Sequence, residues 1–293
     1  MLRYVAVGDS LSEGVGDDPW PDGALRGWAD RLAELLADHH GEVGYANLAV
    51  RGLRAQEVLD TQVEAALAME PDVLTLTAGM NDLLRPRLDV PGLRRALVGI
   101  VAPFTAKGVR VTVVPIPDIR AVSPAGRLIA RRRVQLNAIY QHLADEHGMQ
   151  PPARTAGTIF EDRRAWADDR LHLSALGHER LALGAAHALG LPVGETWSQV
   201  PDGAPPRRSL RTETDWARRH VGPWLGRRLT GRSSGDGRVA KRPTLTPFET
   251  VAERPPQGAE QLAERPPQGA EQLAERPPQG AEQLAERPPQ GAE

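Results

Sequence analysis

Short apolar runs rich in β-branched residues alternate with longer amphipathic stretches through the first two thirds of the chain. Four such runs, each followed by a turn that contains glycine or proline, lie at 2–7, 43–50, 73–78 and 110–116. Strands joined through helices form right-handed βαβ units, which give a mostly parallel sheet with helices on both faces. The alternation therefore predicts an α/β fold, and about 190 residues are enough to enclose one substantial core.

The stretches between these strands carry apolar residues at helical spacing. They predict helices at 28–40, 58–67, 90–107, 127–147 and 173–189. A further β-rich stretch at 155–160 is a weaker strand candidate, and it would bring the central parallel sheet to about five strands.

Composition changes after residue 196, where we expect the α/β domain to end. Residues 1–196 carry a net charge of −4, whereas 197–246 hold eleven Lys and Arg against four acids, a net of +7. Tryptophans and apolar residues at helical spacing within 215–229 predict a helix in this basic extension, although Pro223 would kink or divide it. Such a helix could lie on an anionic membrane surface, but we favour packing of its apolar stripe on the chain's own domain.

Residues 247–293 consist mostly of an eleven-residue repeat. The unit Glu-Arg-Pro-Pro-Gln-Gly-Ala-Glu-Gln-Leu-Ala occurs three times from Glu253 before it is truncated, and the segment carries a net charge of −5. Two prolines and a glycine in each repeat exclude a continuous helix, and one leucine per repeat buries too little apolar surface to offset ordering. We therefore expect a disordered, proline-rich tail that acts as a spacer or docking segment, with its partner left open.

The composition excludes several kinds of chemistry. The chain of 293 residues has no cysteine, which rules out disulfides, thiolate metal sites and a cysteine nucleophile. No histidine pair has the spacing of a zinc motif and no phosphate-binding glycine loop is present, so we expect neither a metal nor a cofactor. No apolar run is long enough to cross a bilayer and only residues 1–6 precede the first turn. We therefore expect a cytoplasmic enzyme without stable membrane insertion.

Three candidate site residues follow the first three predicted strands. Ser10 comes directly after the first strand, Gly52 closes the second, and Asn81 lies in the turn after the third. The carboxyl ends of parallel strands share one edge of a sheet, so a hydroxyl nucleophile and the donors that stabilise an oxyanion would meet there. Each residue alone is more typical of a turn or a helix cap, and only the set favours catalysis.

The pairing of His172 with Asp169 predicts a general base. Asp169 precedes His172 by three residues, just before a predicted helix, so its carboxylate can accept the Nδ1 proton and leave Nε2 facing the nucleophile. The alternative is a helix cap in which Asp169 or Ser174 accepts backbone amides and His172 lies on the surface. We expect His178 and His187, on the same helix, to be surface or core residues.

Four short segments carry these residues in a fixed order: Gly8-Asp9-Ser10-Leu11, Gly52 after Asn47-Leu48-Ala49, Gly79-Met80-Asn81-Asp82, and Asp169-Arg170-Leu171-His172. Together they resemble the SGNH (GDSL-type) hydrolase family over roughly residues 1–189, and the ordered set is specific where each member is not. The Gly-x-Ser-x-Gly elbow of the α/β-hydrolases is absent, because Ser12 stands two residues after Ser10 where that elbow has glycine.

The resemblance implies a fold and a set of roles. It implies a flavodoxin-like three-layer α/β sandwich, with Ser10 as the nucleophile, His172 as the base and Asp169 as the partner of that base. It also implies that Ser10, Gly52 and Asn81 are the three donors of an oxyanion hole. Every one of these positions holds the residue type that the family's pattern requires.

We therefore expect a carboxyl-ester hydrolase that acts on a small-molecule acyl ester through an acyl-enzyme intermediate. Within that chemistry the runner-up is the removal of acetyl groups from carbohydrates, followed by the hydrolysis of lysophospholipids or thioesters. A scaffold or binding module with an interaction tail is the alternative from another class. The basic extension lacks a nucleic-acid recognition motif, so we expect no nucleic-acid partner.

Two loops would decide the substrate, at 14–27 and 121–133, and neither gives a clear signal. Trp20 in the first could wall a small pocket or belong to a rigid surface loop. Arg127 and the arginines of 131–133 could meet an anionic substrate, although we favour a solvated helix face.

Overall fold

The computed structural model describes residues 1–205, 210–223 and 234–248. Its strands are β1 (Leu2–Gly8), β2 (Val43–Asn47), β3 (Val73–Thr77), β4 (Arg110–Val113) and β5 (Arg242–Pro247). They form one sheet in the order β4-β3-β1-β2-β5, in which β1 to β4 are parallel and β5 runs antiparallel to β2. Contacts divide the chain into two compact units, Met1–Arg254 and Pro255–Glu293, and the second lies wholly outside the described residues.

Helices cover both faces of this sheet. One face carries α3 (Ala55–Ala68), α5 (Val90–Thr105) and α6 (Pro124–His147), and the other carries α2 (Trp28–His40) and α7 (Ala175–Ala188). Shorter helices are α1 (Ser10–Glu13), α4 (Met80–Leu83) and α8 (Leu210–Trp216), which continues as a π-helix over Ala217–Val221. Single 3₁₀ turns lie at Ile159–Glu161, Arg163–Ala165 and Thr196–Ser198. The predicted fold class, an α/β sandwich of three layers, is confirmed.

Alternate side chains of β1 enter two separate apolar cores. Val5 and Val7 pack with residues of α3, α5 and α6, whereas Tyr4 and Ala6 pack with residues of α2 and α7. All four side chains are fully buried, as expected for a central strand of a parallel sheet. Burial on both faces explains why this strand is a continuous apolar run in the sequence.

The fifth strand is not the one that the sequence predicts. Residues 155–160 form no strand, since Gly157 adopts a φ of 75° and the Thr158 side chain accepts the Phe160 amide at the start of a 3₁₀ turn. A positive φ and a side chain that competes for a backbone amide both oppose extended pairing. The strand prediction for 155–160 is therefore wrong, and the basic extension provides the fifth strand instead.

Strands β2 and β4 are shorter than the runs predicted at 43–50 and 110–116. Asn47 Oδ1 accepts the Ala49 amide at 3.1 Å, which turns the chain at the end of β2. Pro115 has no N–H to donate to a ladder, and β4 ends two residues before it.

The helix predicted at 215–229 begins earlier than expected, because α8 starts at Leu210. Residues 224–229 of that prediction lie outside the described residues, as does nearly all of the 247–293 tail. Disorder of the tail and the domain boundaries at 196 and 246 therefore stay predictions. Within the described ranges, no helix is both long and apolar enough to span a bilayer.

A buried ion pair fastens the basic extension to the sheet domain. Lys241, which directly precedes β5, places Nζ 2.5 Å from the Asp30 carboxylate of α2 and donates to the Leu25 carbonyl at 3.2 Å. The Asp30 and Lys241 side chains are only 3% and 15% exposed. Since a charge in such a site needs its partner, the pair fixes the position at which β5 begins.

Replacing Lys241 by methionine should destabilise the protein by about 3 kcal/mol, because the Asp30 carboxylate stays buried without its counter-charge. Urea unfolding followed by circular dichroism measures this loss. The double variant Asp30→Leu/Lys241→Met removes both charges and should recover most of the stability. An unchanged midpoint in Lys241→Met would show that the ion pair does not fasten the extension.

Candidate active site

The carboxyl ends of β1, β2 and β3 bring three predicted residues to one edge of the sheet. Ser10 is the first residue of α1, which Asp9 caps by accepting the Leu11 amide. Gly52 lies in the turn between β2 and α3 with a φ of 83°, a conformation that glycine adopts without strain. Asn81 lies in α4, directly after β3. All three border the same cavity.

Ser10, His172 and Asp169 form a continuous hydrogen-bonded chain. The His172 Nε2 atom lies 3.0 Å from Ser10 Oγ, and Nδ1 lies 2.6 Å from Asp169 Oδ2. The other carboxylate oxygen, Asp169 Oδ1, accepts the backbone amides of Leu171 and His172 at 3.0 Å each. The structure thus brings together the three residues that the sequence predicts as nucleophile, base and partner.

The surroundings of Asp169 keep its carboxyl ionised. Burial alone would raise the pKa of this group, but the hydrogen bond from the His172 ring, the charge on that ring and two backbone amides together hold the pKa well below its usual value. A carboxylate that stays anionic keeps the Nδ1 proton on the ring, so Nε2 is left as the hydrogen-bond acceptor toward Ser10.

The candidate oxyanion donors differ in how they are engaged. The backbone N–H groups of Ser10 and Gly52 donate to no acceptor within the described part of the chain. Asn81 Nδ2 donates to the Leu53 carbonyl at 2.9 Å and makes a long contact of 3.4 Å with Asp9 Oδ2. Two amides are thus available to a ligand, and the third donor is held in place by the loop that follows Gly52.

An ion pair that sequence analysis missed ties the Ser10 helix to the Gly52 turn. Glu13, in α1 and only 4% exposed, accepts the Arg51 backbone amide at 2.6 Å and lies 2.7 Å from Arg51 Nη2. One carboxylate therefore fixes the residue before Gly52 relative to the helix that starts at Ser10. The only signals in the sequence were an acid one turn after Ser10 and a basic residue beside Gly52.

Asp9 is a buried carboxyl below the site. It is 3% exposed and accepts hydrogen bonds from the Leu11 amide at 3.2 Å and from the Thr77 hydroxyl at 3.3 Å. Burial raises the pKa of Asp9 to about 6, and the Leu11 amide and the His172 charge only partly oppose that rise. Ionising this group near neutral pH therefore costs folding free energy.

The cavity at Ser10 has a volume of about 1080 Å³. Apart from the candidate site residues, its walls are mostly apolar and come from the chain after β4, from α7 and from the 3₁₀ turn that contains Trp197. Two polar atoms in these walls, Thr112 Oγ1 and Trp197 Nε1, have no hydrogen-bond partner among the described residues.

Several residues weighed from the sequence lie elsewhere. His178 is fully buried, where Nδ1 accepts the Trp28 amide and Nε2 contacts the Val15 carbonyl, and burial lowers its pKa to about 4. Trp20 is buried but does not border the cavity. Arg132 donates to the Leu83 carbonyl at 2.8 Å, outside the cavity lining.

Metal ligation finds no support in the described ranges, where no three or more His, Asp or Glu side chains are grouped to hold an ion.

The sequence from residue 6 to residue 180 matches the family model of the GDSL-like lipase/acylhydrolases. The chain belongs to this family. The match covers more than half of the chain, confirms the resemblance to the SGNH (GDSL-type) hydrolases, and makes the protein a serine ester hydrolase by family. It ends before the basic extension. No curated protein matches the sequence significantly.

Solved structures of the same fold include several esterases and lipases. TesA is 23% identical, with a TM-score of 0.52 over 64% of this chain and 97% of its own. The lipase Lip_vut3 from a goat rumen metagenome is 20% identical, with a TM-score of 0.52 over 66% and 100%. The acetylxylan esterase Axe2 from Geobacillus stearothermophilus is 18% identical, with a TM-score of 0.52 over 68% and 97%. At these identities the likeness establishes the fold.

Replacing Asp9 by asparagine should stabilise the protein by about 2 kcal/mol at pH 8 and by much less at pH 4.5. In the parent, the folded pKa of about 6 lies above the usual value of an Asp carboxyl, so this group reduces stability as the pH rises through that range. At pH 4.5 the carboxyl of the folded parent is already protonated while that of the unfolded chain is still largely ionised, so only a small part of the advantage of asparagine is left. Urea unfolding of both proteins at the two pH values measures the difference. An equal effect at both values would contradict this account.

Proposed function

We propose that the chain hydrolyses carboxyl esters through an acyl-enzyme formed on Ser10. The observation that carries the proposal is the hydrogen-bonded chain from Ser10 Oγ through His172 to Asp169, which opens into a cavity beside free backbone amides. A hydroxyl, a base and a group that orients the base are what nucleophilic catalysis by serine requires.

Acylation begins when Nε2 of His172 takes the proton of the Ser10 hydroxyl as Oγ attacks the ester carbonyl carbon. The carbonyl oxygen becomes an oxyanion, for which Ser10 N–H, Gly52 N–H and Asn81 Nδ2 are the donors. The protonated imidazole then gives its proton to the leaving alkoxide, and the carbon–oxygen bond to the alcohol breaks. Ser10 is left as an acyl ester.

Deacylation repeats these steps with water. His172 takes a proton from the water molecule as it attacks the acyl carbon, and returns that proton to Ser10 Oγ when the acid leaves. Asp169 remains ionised throughout, because its low pKa favours a hydrogen bond to the charged ring over protonation. The scheme needs no group besides those of this chain and water.

Other uses of the same site remain as alternatives. The acetylxylan esterase among the similar structures keeps carbohydrate deacetylation as the runner-up, and lysophospholipids or thioesters follow. A scaffolding role is disfavoured because a pure scaffold does not need the Ser10, His172 and Asp169 geometry. The cytoplasmic location and the absence of a nucleic-acid partner stay predictions, and the partner of the tail stays open.

The variant Ser10→Ala should lose at least about 10³-fold of the parent's kcat on p-nitrophenyl esters while it folds normally, because no other group can form the acyl-enzyme. Mass spectrometry after treatment with a fluorophosphonate should locate an adduct on Ser10 of the parent and none on the variant. Ser198→Ala, which removes a hydroxyl that donates to the Glu195 carbonyl, is the matched control and should retain parental rates. Hydrolysis by Ser10→Ala at the parental rate would refute the mechanism.

A further inference from the structure

The cavity at Ser10 continues well beyond the reacting atoms. Its charged lining residues belong to the segments around the nucleophile, at 9–10, 51–52, 172 and 236–238. The turn at 234–238 lies against the 51–52 turn, since Gly235 packs directly on the Arg51 carbonyl. Among the described residues, charge is therefore confined to the part of the cavity around Ser10, which we call its mouth and where the ester bond would lie.

The rest of the cavity, which we name the acyl chamber, has no charged side chain among the described residues that line it. It extends between the chain that follows β4 and the face of α7 that looks toward it. Its principal lining residues are Val114, Ile116, Ala153, Leu181, Ala185 and Trp197.

The acyl chamber lies next to β4, an edge strand of the sheet. Within the described residues nothing pairs with its outer side, and the residues predicted as the fifth strand form a 3₁₀ turn instead. Pro151, Ala153 and Thr155 border the cavity as irregular chain. The cavity therefore extends from Ser10, at the end of β1, to β4, which is two strands away in the sheet.

The chemistry of the acyl chamber suits a hydrocarbon chain. Away from Ser10 and the 234–238 turn, the described residues that line the cavity are apolar except for the hydroxyls of Thr112 and Thr155 and the indole N–H groups of Trp166 and Trp197. A sugar buried there would leave most of its hydroxyls without partners, which is costly, whereas an alkyl chain needs none. The whole cavity, mouth included, has a volume of about 1080 Å³, which is at the upper end of ordinary small-molecule sites and leaves far more room than an acetyl group needs.

We infer that the acyl chamber binds the acyl chain of the ester, so that the substrates are esters of medium- or long-chain aliphatic acids. This inference rests on the proposed function, since it places the acyl group of the same acyl-enzyme. The alcohol part of the substrate would leave through the charged mouth.

A series of p-nitrophenyl esters from acetate to dodecanoate tests the chamber. In the parent, kcat/KM should rise about threefold to fourfold per added methylene until the chamber is filled. Isothermal titration of Ser10→Ala with sodium decanoate and with sodium acetate gives a readout without turnover, and only decanoate should bind.

Ala185→Phe adds a ring inside the chamber and should move the best chain length to a shorter ester. Ala188→Phe, at a half-buried lining position, does the same if the first variant fails to fold. Glu179→Phe places the same ring on the exposed side of α7 and should leave the chain-length profile unchanged.

The outcomes separate the two proposals. If the parent prefers acetate and its efficiency falls with chain length, the acyl-chamber inference is wrong while the ester hydrolase stands. If Ala185→Phe and Ala188→Phe both leave the chain-length profile unchanged, the acyl-chamber inference is also wrong. If no ester of any length is hydrolysed and Ser10 takes no fluorophosphonate label, the proposed function itself fails.

A second inference comes independently from Arg170, which lies inside the loop that holds Asp169 and His172. Its backbone adopts a φ of 59°, a left-handed conformation that costs a residue with a side chain free energy. Its guanidinium makes two hydrogen bonds of 2.8 Å with the Glu213 carboxylate and stacks 4.3 Å from the Trp216 ring. Both partners belong to α8, beyond the residues that the family model matches.

We propose that α8 keeps this loop in its catalytic conformation through Arg170. The fork of a guanidinium matches a carboxylate in one geometry, so the Glu213 pair fixes the Arg170 backbone and offsets its strain. Because Asp169 Oδ1 accepts the amides of Leu171 and His172, any relaxation at Arg170 would shift the His172 ring relative to Ser10. Arg170 is thus a positioning residue, and the basic extension serves the active site.

Glu213→Gln and Arg170→Lys should lower kcat about tenfold with KM within about twofold, since they disturb the alignment of His172 and leave the cavity intact. The charge-swapped double variant Arg170→Glu/Glu213→Arg should recover part of the loss. Arg120→Gln, which breaks the exposed ion pair with Asp118, is the matched control and should keep the parental kcat.

Titration of active sites with a fluorophosphonate distinguishes positioning from mere stability. Positioning predicts that the rate of Ser10 labelling per folded molecule falls with kcat. If the variants lose only thermal stability and each titrated site retains the parental kcat, the positioning role of Arg170 is refuted.

Discussion

The contact between Ser10 Oγ and His172 Nε2 imposes the main constraint on this structure, because it joins residues that are 162 positions apart. At 3.0 Å this contact tolerates little movement of the loops that carry Ser10 and His172, because a displacement of one ångström would break it. The position of Ser10 is fixed by the preceding strand β1, whose side chains are buried in both cores. On the histidine side, the bridge between Trp166 and Leu173 and the bond from Ala167 N–H to the His172 carbonyl close the loop.

The parts of the fold and of the candidate site that could be predicted from the sequence are those marked by residues close together along the chain. Strand ends are marked by glycine turns, and the side chains that follow them fall on one edge whatever the packing of the helices. Ser10, Gly52 and Asn81 were found in this way, and the Asp169–His172 pair was found from its three-residue spacing before a helix. The structure places Ser10, Gly52, Asn81 and His172 at one cavity, and Asp169 is bonded to the His172 ring.

The remaining features depend on contacts that no short pattern encodes. The run at 155–160 has β-branched residues, but Gly157 and the Thr158 side chain turn it into a cap. The true fifth strand, β5, comes from a segment whose proline and arginine content is typical of an exposed extension. Its place in the sheet depends on β2 and on the buried Lys241–Asp30 pair, which are distant in sequence.

The antiparallel pairing of β2 with β5 has a consequence for the order of folding. Residues of β2 emerge early in synthesis, yet their partner follows about 200 residues later, which is a long loop to close. Until then the edge of β2 presents unpaired N–H and C=O groups to other chains. During translation there is therefore an interval in which the nascent domain already has β1, which leads to Ser10, while the edge of β2 is still unpaired and can associate with other chains. This interval ends only after residue 247 has left the ribosome.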